Sequence, residues 1–174
     1  MYIMVKTILY ILNPEKYFEN VVKIFRGMAD LHVIYVTTNK PYTHIMNIFK
    51  QEGLAVEKIF FVDCISKEVL NTLPAETENC MFVEGPQDIV GISFAINAGI
   101  EHMPGDKILF FDSLSTLLMY NDEFVVGRFS NFIVNKLRAN GVSGVILALE
   151  SDFEKDILKN VQSFVDEVIK NVKH

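Results

Sequence analysis

Acidic and polar side chains stand directly after several apolar, strand-like segments of this 174-residue chain. Asp112 and Ser113 follow the run Lys107–Phe111, and Glu150 follows the run Val145–Leu149. In α/β proteins, ligands and metal ions bind outside the carboxyl ends of the strands. A carboxylate is also a hard ligand of the kind that Mg²⁺ prefers, so Asp112 is the candidate metal ligand. The other members of the candidate site are Asn13, Thr37, Asn39 and Glu84.

A structural role competes with this interpretation. Asp112 and Ser113 can cap the short helix predicted over Ser113–Met119, because both residue types accept hydrogen bonds from the amides of a first turn. A single acid without partner oxygens is a weak metal site. The four histidines have no ligand spacing. Helix caps and solvated loop ends are therefore the favoured explanation of these polar residues, and Cys64 and Cys80 are expected to be buried thiols.

Strand-like and helix-like segments alternate along the whole chain, which is typical of βαβ units in a mostly parallel sheet. The sequence therefore predicts one α/β domain over residues 1–174, with three αβα layers and a doubly wound sheet. The second half of the chain ends in Phe164–Val172, which fits a terminal strand or a further helix. Strands are predicted over Lys6–Leu12, Leu31–Thr37, Lys58–Asp63, Cys80–Glu84, Asp106–Phe111 and Ser143–Leu149. Helices are predicted over Pro14–Met28, Pro41–Glu52, Ser66–Leu70, Gly85–His102, Ser113–Met119, Asp122–Ala139 and Asp152–Val161.

The helix predicted over Gly85–His102 is apolar almost all round, which indicates burial on more than one side. In the long helix Asp122–Ala139, Phe124, Phe129 and Phe132 mostly indicate core packing. Any part of that surface left exposed would mark self-association.

Composition limits the classes of partner. The net charge is −6 and the pI is about 5.2, which argues against a nucleic-acid binder or a protein bound to anionic membranes. No apolar run approaches the ~18 residues of a membrane span. Lys6 interrupts the apolar start, and no small-residue cleavage site follows it. The expected location is therefore the cytoplasm, with neither nucleic acid nor membrane as a partner.

The segment Asp106–Glu150 resembles the Walker B half of RecA/KaiC-type P-loop ATPases, in which a hydrophobic strand ends in Asp-Ser and a long helix follows. The match extends to Val33–Asp63, with its strand, its Asn/Lys/Pro-containing turn and its helix closing on Gly53. The resemblance implies a RecA-like sheet in which the strand Ser143–Leu149 lies between the first strand and the Asp112 strand. Domains of this family often assemble, so the resemblance also implies a homo-oligomer. Members of the family hydrolyse ATP with a P-loop lysine, a Walker B acid on magnesium and paired glutamates.

The phosphate-binding loop of that family is missing here. A P-loop reads G-x-x-x-x-G-K-[ST], whereas the first strand ends at Leu12 and is followed by Asn13–Lys16. Pro14 has no N–H to donate. Glu15 occupies the positive end of the helix dipole, where a phosphate would otherwise bind. We therefore predict a tight strand-to-helix turn capped by Asn13, with no cavity for a β-phosphate.

The paired glutamates are also missing, since they would fall at Asn39 and Lys40. Neither side chain can serve as a carboxylate base for water. The leading hypothesis is therefore a non-catalytic RecA/KaiC-like domain, a pseudo-ATPase that acts in assembly or in regulation and signalling. It would need no cofactor, and its partner would be a second copy of the chain or another protein.

Two other hypotheses remain open. The first is a nucleotide- or magnesium-dependent enzyme that uses an unconventional phosphate site at the strand ends, and only this hypothesis requires Mg-ATP. The second is a flavodoxin-like α/β domain that binds a small molecule, with the RecA/KaiC resemblance arising by convergence of pattern.

Overall fold

A seven-stranded sheet runs through the protein in the order β4-β3-β2-β5-β6-β1-β7, and every pair of neighbouring strands is parallel. The structure, a computed structural model, describes residues 4–73 and 77–170. The strands are β1 Thr7–Leu12, β2 His32–Thr37, β3 Ile59–Asp63, β4 Cys80–Phe82, β5 Lys107–Asp112, β6 Ser143–Leu149 and β7 Glu167–Lys170.

Seven α-helices connect these strands within the described residues. They are α1 Tyr17–Arg26, α2 Tyr42–Gln51, α3 Ser66–Val69, α4 Ile89–His102, α5 Leu114–Tyr120, α6 Glu123–Ala139 and α7 Asp156–Gln162. Short 3-10 helices precede α1 and α7, at Pro14–Lys16 and Glu150–Asp152. The predicted three-layer, doubly wound α/β fold is therefore confirmed.

The strand order confirms a specific expectation, because β6 lies between β5 and β1. The chain reverses its direction of progress across the sheet after β4, when β5 joins β2. The terminal segment, left open as strand or helix, forms the edge strand β7 beside β1. Asn171 and Val172, the last residues of that predicted segment, lie outside the described residues, as does His174.

Alternation along the strands divides the core into two clusters, one on each side of the sheet. In β2, Ile34 and Val36 face the cluster that contains α4, α6 and α7, whereas Val33 and Tyr35 face α1 and α2. Both faces of the central strands are buried, as parallel sheets require. Cys64 and Cys80 are buried free thiols, as expected, and burial raises the pKa of each thiol.

Several predicted boundaries differ from the structure. The helix predicted from Gly85 begins at Ile89, because the Asp88 carboxylate accepts a hydrogen bond from the amide of Gly91 and caps the helix there. Pro14–Met28 is divided into a 3-10 turn and α1. The strand predicted over Cys80–Glu84 ends at Phe82, and the helix predicted over Asp152–Val161 begins only at Asp156.

The prediction that the fourth helix is buried on more than one side is wrong. Val90 and Phe94 leave 80% and 67% of their surfaces exposed, whereas Ile92, Ala95 and Ile96 are buried. The helix packs on one side of β2 and β3, so only one stripe of it reaches the core. Among the described residues, no helix combines the length and the apolar character that crossing a membrane requires.

Gly99 allows α4 to approach the sheet closely, which generates a prediction about stability. A Cβ at this position would lie 2.9 Å from Cδ1 of Phe60 and 3.1 Å from two side-chain carbons of Ile34. Both neighbours are buried in a packed layer and cannot move freely. We expect Gly99→Val to lower the free energy of unfolding by about 1–3 kcal/mol. Urea denaturation measures the change, and Asn97→Ala, on the outer face of the same helix, should change it by less than about 0.5 kcal/mol.

Candidate functional site

Asp112 is the buried centre of the strand-end edge, with only 1% of its surface exposed. Its Oδ2 accepts a hydrogen bond of 2.7 Å from the hydroxyl of Tyr35, and its Oδ1 accepts one from the hydroxyl of Tyr17. The three residues come from β5, β2 and the first turn of α1. We call them the Asp112 cluster. The carboxylate therefore faces two phenol donors from the interior of the protein.

The backbone beside Asp112 is fixed by Thr38, which follows β2. The Thr38 hydroxyl donates to the carbonyl oxygen of Asp112 at 2.9 Å and accepts from the amide of Ser113 at 2.9 Å. The peptide bond between Asp112 and Ser113 is cis. Ser113 then begins α5, because its Oγ accepts from the amide of Thr116. The capping interpretation is therefore confirmed for Ser113, whereas Asp112 binds tyrosines instead of a helix terminus.

Burial and hydrogen bonding act on the Asp112 cluster in opposite directions. Burial raises the pKa of the Asp112 carboxyl above its ordinary value, while the two phenol hydrogen bonds and the charge of Lys40 oppose that rise. Burial, together with the neighbouring carboxylate, raises the pKa of the Tyr17 and Tyr35 hydroxyls well above the ordinary value. The tyrosines therefore remain protonated donors, and the carboxylate is their common acceptor.

In the turn between β1 and α1, three successive backbone amides already have partners within the protein. The amide of Glu15 donates to Oδ1 of Asn13 at 2.8 Å, and the amide of Lys16 donates to the Asn13 carbonyl oxygen at 3.3 Å. The amide of Tyr17 donates to the carbonyl oxygen of Pro14, which itself has no N–H. The tight, Asn13-capped turn that the sequence predicts is therefore confirmed.

The other predicted site residues are spread along the edge. Thr37 is buried, and its hydroxyl donates to the carbonyl oxygen of Lys40 at 2.6 Å. Asn39 and Glu150 are exposed. Glu84 is exposed and forms a surface ion pair with Lys67 of α3.

A small cavity lies at this edge, contrary to the prediction of no room at the turn. Its volume is about 190 Å³. It sits between the start of α1 and the start of α5, and Asp112 is not among its lining residues. The residues that line it are Pro14, Tyr17, Asn39, Ser113, Thr116 and Leu149. Small-molecule sites usually measure roughly 300–1,000 Å³, so this cavity is small for a nucleotide.

Metal binding finds little support in this arrangement. Within residues 4–73 and 77–170, no three or more His, Cys, Asp or Glu side chains are grouped so that they could hold an ion. Asp63, the other buried acid at a strand end, uses both oxygens to accept hydrogen bonds, including those from the amides of Tyr42 and Ser66. Tyr17, which lines the cavity, already donates a hydrogen bond to Oδ1 of Asp112.

Sequence reasoning missed Tyr17 and Tyr35. A partial signal was present in the sequence. Tyr35 lies two residues before the strand-end residue Thr37, so the two side chains lie on the same face of the sheet, close to the same edge. The pairing of Thr37 with Asp112 across β2 and β5 brings these positions together. That pairing is a property of the sheet, and one strand read alone does not contain it.

Comparisons with known proteins place the fold but no family. No family model and no curated protein matches the chain. Among solved structures, the chain is similar to an uncharacterised protein from Pyrococcus horikoshii that was crystallised in complex with an unknown peptide. The TM-score is 0.69 and the sequence identity is 16%, over 97% of this chain and 78% of that one. At this identity the similarity establishes a shared fold.

The raised pKa of Asp112 predicts how stability depends on pH. The carboxyl ionises near pH 3.8 in the unfolded chain and at a higher pH in the folded protein. Between these values the unfolded state binds fewer protons, so the contribution of Asp112 is present at low pH and is lost as pH rises through the folded pKa. Asp112→Asn removes this contribution. We expect the stability of Asp112→Asn relative to the wild type to increase as the pH rises from 3.8 through the raised pKa of the folded protein.

Urea denaturation of both proteins across that range gives the difference curve directly. Asp30→Asn, which removes an exposed carboxylate outside the Asp112 cluster, is the matched control for the loss of one negative charge. A difference between wild type and Asp112→Asn that stays constant with pH would contradict the prediction.

Proposed function

We propose that this protein is a non-catalytic α/β domain with a degenerate ATPase-like architecture, which acts in assembly or in regulation of a protein partner. The Asp112 cluster carries the proposal. The acid at the end of β5 stands where a metal-binding carboxylate of such a fold is expected, yet both of its oxygens accept hydrogen bonds from tyrosines. Interactions within the protein satisfy the carboxylate, and a cation is not needed for that purpose.

The β1–α1 turn supports the same proposal. Phosphoryl transfer depends on backbone amides and a lysine that hold the phosphates, on a metal ion and on a residue that positions the nucleophile. At this turn the amides of Glu15, Lys16 and Tyr17 already have partners in the protein. Asn39 and Lys40 stand where the resemblance would place a catalytic pair of glutamates.

A protein partner is the favoured class of ligand. The P. horikoshii protein was crystallised with an unknown peptide, and in the present chain large apolar side chains are exposed on α4 and α6. Exposed apolar patches of this kind are typical of surfaces that bind other proteins. Assembly through those helices requires no catalytic activity at the strand-end edge.

The cavity beside Tyr17 favours one second candidate, a site for a small polar ligand. Asn39, Ser113 and Thr116 give it an amide and two hydroxyl groups, and its volume of about 190 Å³ admits an anion the size of inorganic phosphate more readily than a nucleotide. The same thermal measurement tests this candidate and the nucleotide-dependent enzyme.

We expect Mg-ATP, Mg-ADP and Mg-GTP at about 5 mM to leave the melting temperature unchanged within about 1 °C. A ligand at a hundredfold excess over its Kd stabilises the folded state by about 2.7 kcal/mol. For a chain of this length that corresponds to a shift of roughly 5–10 °C. Differential scanning fluorimetry, confirmed by calorimetry, measures the shift. Inorganic phosphate with and without Mg²⁺ tests the small-ligand candidate.

A nucleotide-dependent shift that is present in the wild type and lost in Asp112→Ala would overturn the proposal. Glu150→Ala is the matched control, because it removes an exposed acid at the neighbouring strand end and leaves the Asp112 cluster intact. A shift lost equally in both variants would point to general loss of negative charge at this edge.

A further inference from the structure

The side of the sheet covered by α4, α6 and α7 exposes large apolar side chains on two neighbouring helices. Val90 and Phe94 protrude from α4, and Phe124 and Phe132 on α6 leave 74% and 52% of their surfaces exposed. The two helices share one hydrophobic core cluster, so both pairs belong to the same face of the molecule. Single exposed apolar residues are ordinary, whereas a group on one face marks an interaction surface.

On α4 the exposed residues form a ridge. Val90 and Phe94 are four residues apart and therefore lie on one stripe of the helix. The stripe continues through Asn97 to Glu101, whose Oε1 accepts a hydrogen bond of 2.8 Å from the Asn97 amide. The ridge thus begins with two apolar side chains and ends with a carboxylate.

On α6 the exposed residues form one wall of a groove shared with α7, with a volume of about 640 Å³. Gly127 carries no side chain between Phe124 and Phe132, and a Cβ there would lie 2.8 Å from Cδ1 of Ile157, so α7 packs closely against α6 at this point. The groove therefore has Gly127 and Ile157 at its floor and aromatic rings on either side of Gly127 along α6.

Two cations extend the α6 wall. The guanidinium of Arg128 lies 5.7 Å from the ring centroid of Phe124, and the Lys136 ammonium lies 5.7 Å from that of Phe132. Within residues 4–73 and 77–170, neither cation forms an ion pair, and neither does Glu101 of the ridge. The groove itself is lined by both acids and a cation, namely Glu123, Asp156 and Arg128. Lys136 near the end of α6 and Glu101 near the end of the α4 ridge have opposite charges.

The ridge residues on α4 and the groove residues on α6 also lie at matching heights, counted in residues from the end of each helix. Both helices return antiparallel to the parallel strands and therefore run in the same direction. They end next to the neighbouring strands β5 and β6, where Ile108 pairs with Ser143. Val90 and Gly127 each lie twelve residues before the end of their helix.

The same correspondence continues along both helices. Phe94 and Asn131 each lie eight residues before the helix end, so Phe94 is level with the turn that carries Phe132. Glu101 lies one residue before the end of α4, and Lys136 lies three residues before the end of α6. That offset is about 3 Å along the axis, which the two long side chains can span.

We propose that this face binds a second copy of the same chain in a two-fold dimer. The two-fold axis lies in the interface and runs parallel to the helices. Rotation about it keeps each residue at the same height along the helix direction and exchanges the two sides of the face. It therefore places α4 of one copy on α6 of the other. Val90 then lies over Gly127 and Ile157 at the floor of the groove, Phe94 packs against Phe132, and Glu101 meets Lys136. The axis makes each of these contacts twice.

The symmetry argues for a second copy over an unrelated partner. An isologous interface requires that the two complementary halves lie on one surface, since residue i contacts residue j and j contacts i. Here the ridge and the groove lie side by side on one face, with matching levels and opposite charge. The inference deepens the proposed function and rests on it for the role of the dimer in assembly, although the interface itself is tested independently.

The test measures the oligomeric state of the full chain by size-exclusion chromatography with light scattering and by sedimentation velocity. We expect a dimer of twice 19.9 kDa at about 100 µM. Phe94→Glu and Phe132→Glu should each give a monomer at that concentration, because each places a charge in the apolar contact twice. Val69→Glu, at a residue 58% exposed on α3, is the matched control and should remain dimeric.

Charge reversal tests the orientation of the two copies. Glu101→Lys and Lys136→Glu should each weaken dimerisation about tenfold, because each creates two like-charge contacts. The double variant Glu101→Lys with Lys136→Glu should recover most of the wild-type affinity. Circular dichroism and the melting temperature show whether each variant remains folded.

A monomeric wild type at about 100 µM would overturn the inference. A dimer that tolerates Phe94→Glu and Phe132→Glu would also overturn it, since the copies would then meet at another surface. Failure of charge rescue, with both aromatic variants monomeric, would overturn the parallel arrangement. None of these outcomes bears on nucleotide binding, so the inference and the proposed function can fail separately.

Discussion

The arrangement of the strand-end edge depends on how one buried carboxylate is satisfied. An ionised carboxylate without partners is costly to bury, and Asp112 is almost completely buried. Tyr35 reaches it from β2, and Tyr17 reaches it from the first turn of α1. Both phenols are held in place by the elements that carry them, so the cluster joins β5, β2 and α1 at one point. Through these two hydrogen bonds the acid connects the elements that form the edge.

Much of the fold could be predicted because its signal is local. The central strands are continuous apolar runs, and helices such as α1 and α2 have one apolar and one polar face, so type and order were readable from periodicity. The boundaries that failed depend on single hydrogen bonds, such as the one that makes Asp88 the cap of α4. The candidate site was predicted only in part for a related reason. Asp112 and Ser113 could be located from their positions after a strand, whereas Tyr17 and Tyr35 become their neighbours only through strand pairing and helix placement.

The wrong prediction for α4 is informative about the surface. Its sequence is apolar almost all round, and the inference of burial on several sides follows from that composition. In the single chain only one stripe of the helix reaches the core, while Val90 and Phe94 face outward. Composition reports how much apolar surface a helix carries, and it does not distinguish burial within one chain from burial between two. A dimer through this face would reconcile the composition of α4 with its exposure.

The exposed face of α4 and α6 is separate from the strand-end edge that holds the Asp112 cluster, so the molecule has two independent surfaces. The Asp112 cluster lies at the carboxyl ends of the strands, and its residues Tyr17 and Tyr35 pack with α1 and α2 on one side of the sheet. The α4 ridge and the α6 groove lie on the other side, over a different core cluster. Substitutions at Phe94 or Phe132 therefore remove no contact of the Asp112 cluster, and their effects on association can be separated from effects at the edge. For a domain whose strand-end acid is already satisfied internally, the helical face is where the sequence leaves apolar surface and charge available to a partner.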